Sequence, residues 1–192
     1  MTSDAWADSQ VTKLDAARRQ LGTAIRLLFA QGDAVSVHTL AHAAFGVLKG
    51  VAEHRGERRI LDEARAIAAT YRGGDFWTRF NRTGNFFKHV DKDPDGLLSE
   101  RPEEENEALI SLAVEMYRDL NGLVTPEIEA FYLWWRCIHF YNIDDVPEPF
   151  MSWLTANASR LHSDARTDLL ALGHELCEVL RNHAVSQAKE GG

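Results

Sequence analysis

The chain reads as one all-α domain, a helical bundle of six to eight helices. Three observations predict this. Apolar residues recur at intervals of three and four through most of the 192 residues. No segment shows the two-residue alternation of a half-buried strand. Glycine, proline and N-capping residues fall at the ends of the periodic stretches. Nine Phe, five Trp and four Tyr in a chain that is 45% hydrophobic and 26% charged supply a core without a disulfide or structural metal. The periodicity bounds a single domain over residues 11–186, with residues 1–10 expected to be a disordered lead and 187–192 a disordered tail.

Leu14, Ala17, Leu21, Ala24, Ile25 and Leu28 define a first amphipathic helix from Thr12 to Ala30, stopped by Gly32. Asp33 or Ser36 is the expected N-cap of a second, reaching His54 with the stripe Val37, Leu40, Ala41, Ala44, Leu48 and Val51. The two form a hairpin. A charged third helix spans Arg58 to Tyr71 and breaks at Gly73 and Gly74, after which Asp75 caps a fourth with Phe76, Phe80, Thr83 and Phe87 inward. Gly84 is expected to interrupt that helix. The segment from Asp91 to Glu105 is rich in Asp, Glu and Pro and reads as a solvated loop.

Leu109, Leu112, Ala113, Met116 and Leu120 mark a fifth helix stopped by Gly122. Thr125 and Pro126 then form the clearest helix start in the chain: a capping hydroxyl, proline in the first turn, and Glu127 and Glu129 where the helix dipole favours acids. Ile128, Phe131, Trp135 and Ile138 continue this sixth helix inward, which leaves Trp134 beside the core, either to anchor a partner subunit or to pack within this bundle. Pro147 and Pro149 close the next connection. A short helix is expected over Phe150 to Ala158, and a long final one from Asp164 carries Leu169, Leu172, Leu176, Val179 and Leu180.

A net charge of −8 argues against broad nonspecific nucleic-acid binding, although Arg72, Arg79, Arg82 and Lys88 could form a local basic site. Residues 1–10 lack a basic start followed by an apolar run, and no uninterrupted apolar stretch has bilayer length, so a cytoplasmic protein with no membrane partner is expected. Cys137 and Cys177 match no metal spacing and read as small core residues of a reducing compartment. No Gly-rich phosphate loop or GxSxG elbow occurs, which sets aside P-loop, dinucleotide-binding and serine hydrolase chemistry.

Arg82, Asn85 and His89 are spaced i, i+3, i+7, which places them on one face of the fourth helix, away from its Phe stripe. A guanidinium, an amide and an imidazole so placed could bind and cleave a phosphodiester. They read equally as a polar face satisfied by the acids of the following loop. His38 and His42 lie four apart on the second helix beside its apolar stripe. With His89 and Asp91 they make a candidate site for a divalent metal, zinc, iron or manganese, and a cofactor-free alternative has His38 joining Arg82, Asn85 and His89 in one polar pocket. Asp91, Asp93 and Asp95, followed by Gly96, open like a calcium loop, but Pro102 stands where the bidentate Glu belongs.

The stretch Arg82-Thr83-Gly84-Asn85-Phe86-Phe87-Lys88-His89 resembles the R-x4-6-H motif of HEPN proteins, the helical ribonucleases of toxin and antiviral systems. The resemblance implies a helix-bundle homodimer whose two motifs face each other across a cleft and cut RNA without metal. By that analogy His89 would activate the ribose hydroxyl or protonate the leaving oxygen, and Arg82 would stabilise charge on the phosphate. Val35 to Leu40 and Asn85 to His89 also look similar to a group of bacterial proteins, a likeness that implies no function. Three readings follow: a HEPN-like ribonuclease or inactive relative, a noncatalytic interaction protein with a structural or anion-binding polar cluster, and a metal-dependent enzyme.

Overall fold

The computed structural model describes residues 10–70, 76–89, 94–98, 102–121, 124–140 and 148–190. They form eight α-helices: α1 (Lys13–Phe29), α2 (Ala34–Arg55), α3 (Arg58–Thr70), α4 (Phe76–Phe86), α5 (Pro102–Asn121), α6 (Pro126–Phe140), α7 (Phe150–Asn157) and α8 (Arg166–Glu190). Among the described residues there is no strand. The expected lead over residues 1–10 lies outside the described residues except for Gln10.

Local chemistry sets the helix ends. The Thr12 hydroxyl accepts the Asp15 N–H at 3.1 Å, and the Asp33 carboxylate accepts the Ser36 N–H at 2.8 Å, which decides the second cap in favour of Asp33. Asp33→Ala is expected to lower stability by about 1 kcal/mol in urea denaturation, the usual cost of losing an N-cap. Gly56 closes α2 in the left-handed region at φ 72°, where a side chain would be strained.

The hairpin of α1 and α2 packs against α5, and α6 lies against α1, α5 and α8. The core runs through these elements: Leu21 and Ile25 of α1, Ala44 and Leu48 of α2, Leu109 and Leu112 of α5, Phe131 of α6 and Leu172 of α8 are all buried. α3 and α4 sit outboard, on α2 and each other, and α7 sits on α8. By length and composition α2 is the one described helix apolar enough to cross a membrane. That test is also passed by core helices, and here Val37, Ala41, Ala44, Phe45, Leu48 and Ala52 of α2 are buried within the domain.

Four expectations about individual elements change. α5 begins at Pro102, inside the segment read as a loop through Glu105, because proline suits the first helical position and a helix dipole favours acids in the first turn. α4 continues through Gly84 without a break; the missing side chain is what lets the His42 ring lie against it. α8 extends to Glu190, past the expected boundary at 186. Both indoles of α6 are inside: Trp134 is the deeper, 1% exposed against 8% for Trp135, and its Nε1–H donates to the Leu169 carbonyl at 2.6 Å. Trp134 therefore ties α6 to α8 rather than facing a partner.

Candidate functional site

The polar residues singled out by the sequence fall into two groups, separated by the body of α4. On the inner side, α2, α4 and α5 meet in a buried polar seam. His38 lies in the apolar stripe of α2 between Val37 and Ala41, not beside it, and is 0% exposed. Its Nδ1 lies 3.0 Å from Asn106 Oδ1 of α5, and the Asn106 amide nitrogen donates to the Ala34 carbonyl at 3.0 Å. That fixes the tautomer: Nδ1–H of His38 donates, and Nε2 is left as a buried acceptor without a partner among the described residues.

One turn along α2, His42 lies over Phe80 at 4.6 Å between ring centroids and against the backbone of Gly84. Lys88 Nζ reaches its Nδ1 at 2.6 Å. An ammonium only donates, so Nδ1 accepts and Nε2 carries the proton, again buried and without a partner among the described residues. Burial, with Lys88's charge and the neighbouring His38, pushes His42 down to about 4. Burial does the same to His38, to about 4, against the opposing bond from Asn106. Loss of water around the Lys88 ammonium lowers its pKa as well. Both imidazoles are neutral at pH 7.

A second link crosses the same seam. The Thr83 hydroxyl of α4 donates to Glu105 Oε2 of α5 at 3.2 Å, and Arg79 Nη2 lies 3.0 Å from Glu105 Oε1 as an ion pair too bent for a hydrogen bond. Asn106 and Glu105 were not among the sequence candidates, since they sat in or beside the segment read as loop. Their signal was Pro102 followed by acids, a helix start that places residues 105 and 106 in its second turn.

On the outer side, Arg82, Asn85 and His89 are all exposed. The helical bonding continues past Phe86, with the His89 N–H donating to the Asn85 carbonyl at 3.0 Å, so the three share one surface as their spacing requires. His38 does not join them: its ring neighbours are His42, Phe80 and Phe87, on the inward side of α4. Of the candidate metal set, His38, His42 and His89 are described and Asp91 is not. Among the described residues no group of three or more His, Cys, Asp or Glu side chains is arranged around a common point. His38 and His42 already commit one nitrogen each to Asn106 and Lys88. Asp91 and Asp93 lie outside the described residues, and Asp95 is exposed. Cys137 and Cys177 are buried free thiols, raised by burial to about 11 and about 12, and hence unreactive.

An open groove of about 670 Å³ starts at His42 and Lys88 and follows α2 to its C-terminal end. Its floor is Ala43, Gly46, Val47, Gly50 and Val51. Its edges carry the cations Lys13, Arg55 and Lys88 and the imidazoles His42 and His54, and among the described residues no acid lines it. Fold and site together define an all-α domain with a buried polar seam and a basic surface groove. No protein-family model, curated protein or solved structure matches the chain.

Proposed function

We propose that the protein is a noncatalytic helical interaction protein, in which the polar cluster is structural and the groove along α2 is the binding face. The observation that carries this reading is the pairing within the seam. His38 with Asn106, Thr83 and Arg79 with Glu105, and His42 with Lys88 each join two elements that burial alone would leave free to slide. Side chains spent on such links are not poised to react with a substrate. The groove beside them supplies positive charge on a protein whose overall balance is negative, a local field suited to an anionic ligand.

A second reading is the HEPN-like, metal-independent ribonuclease acting as a homodimer. The common exposed face of Arg82, Asn85 and His89 favours it, because two such faces could oppose each other across a dimer. Labelled single-stranded RNA incubated in chelator with wild-type protein, Arg82→Ala and His89→Ala separates the two. The interaction reading expects no cleavage above background. Chelator-resistant cutting lost in both variants, with circular dichroism unchanged, would replace it by the ribonuclease. Cutting that appears only on adding a divalent cation would favour the site built on His38, His42, His89 and Asp91.

A further inference from the structure

We propose that the groove along α2 receives an acidic amphipathic helix of a partner protein, an assignment that rests on the reading of this chain as an interaction protein. Gly46 and Gly50 lie one helical turn apart on the exposed side of α2, and a Cβ built at either would meet nothing within 4 Å. An exposed glycine inside a helix costs about 1 kcal/mol relative to alanine. Among the described residues nothing packs there to offset that cost, in contrast to Gly84 and Gly173, where a ring presses on the backbone. Two small residues at i, i+4 suit the approach of another helix, whose backbone can come closer there than over larger side chains.

Charge selects the occupant. His42 and His54 are twelve residues apart, so the positive ends of the groove are separated by about 18 Å of helix, a little over three turns. Lys88 stands at one end, and Lys13 and Arg55 at the other. A helix with a small apolar stripe and Asp or Glu at both ends matches floor and edges together. A second copy of this chain does not. Two α2 helices packed antiparallel through Gly46 and Gly50 would set the Lys88 end of each against the Arg55 end of the other. Single-stranded nucleic acid fits less well too: such sites add aromatic side chains for stacking, and among the described residues no Phe, Tyr or Trp lines this groove.

The test is to pan a displayed random-peptide library on the full-length protein, counter-selecting with the Gly46→Leu/Gly50→Leu double variant, and to measure synthesised winners by fluorescence anisotropy. Winners should carry acids flanking an i, i+4 stripe of small or apolar residues. Their binding should weaken by about tenfold or more in the double variant and in Lys13→Glu, and should weaken further with added salt. Gly46→Ala/Gly50→Ala is the folding control, expected to melt no lower than wild type while binding more weakly. Recovery of no groove-dependent peptide, or of basic ones, would overturn the proposal. So would groove-dependent capture of an oligouridine RNA, or a change of sedimentation mass in the double variant. Chelator-resistant RNA cleavage would remove the interaction reading itself, whereas a peptide null without cleavage removes only the docked helix.

Discussion

Gly84→Ala is expected to destabilise the protein by about 1–3 kcal/mol, the usual cost of forcing a methyl group into a filled space. The added Cβ would overlap Cδ2 and Nε2 of the His42 ring, so ring or helix must move. If the ring turns away, it leaves Phe80 and breaks the bond from Lys88, and two of the contacts holding α4 on α2 are lost together. If α4 moves instead, Thr83 is drawn from Glu105. Gly173→Ala should behave alike, since its Cβ would enter the Phe29 ring where α8 meets α1. Gly46→Ala has the same chemistry in open space and should stabilise by about 1 kcal/mol through helix propensity. Urea midpoints of the three variants measured side by side decide the matter. A neutral Gly84→Ala would mean that His42 does not pack on α4.

That contrast among glycines also marks how far the sequence could be read. Helix order and most inward positions follow from periodicity, because a residue such as Leu21 or Leu48 has one way to leave water. The buried polar seam does not follow, because periodicity assigns polar residues outward. Polarity places His38 beside the stripe of α2, yet it sits wholly inside, its burial cost offset by Asn106, a partner 68 residues away. Helical spacing places Thr83 inward, where it lies, but the acid that satisfies it belongs to a stretch whose charge and proline content hide the first turns of α5. Arg82, Asn85 and His89 were legible as one face because that depends only on helix geometry. What such a face does depends on what meets it, and this lies outside a single chain.

Acid should weaken the fold through the same seam. The folded state holds His38 at about 4 against an ordinary 6.5, chiefly by burial. Between those two pH values the unfolded chain binds the proton and the folded chain does not, so stability falls as pH drops from 6.5 towards 4 and levels off below. A shift of that size in a fully buried ring corresponds to about 3 kcal/mol. His42 adds to the loss in the same direction, by less because it is only half-buried. Glu107 and Glu115 pull the other way, since burial raises both and acid relieves the cost of their charge. The wild-type slope alone is therefore a mixture, and His38→Gln isolates one part of it. Glutamine can still donate to Asn106 Oδ1 but cannot titrate. Its urea midpoint should lie below wild type at about pH 7 and converge on it by about pH 4.5. Parallel curves for the two proteins would show that His38 ionises in the folded chain as it does in water, and the buried seam would then not be the structural element described above.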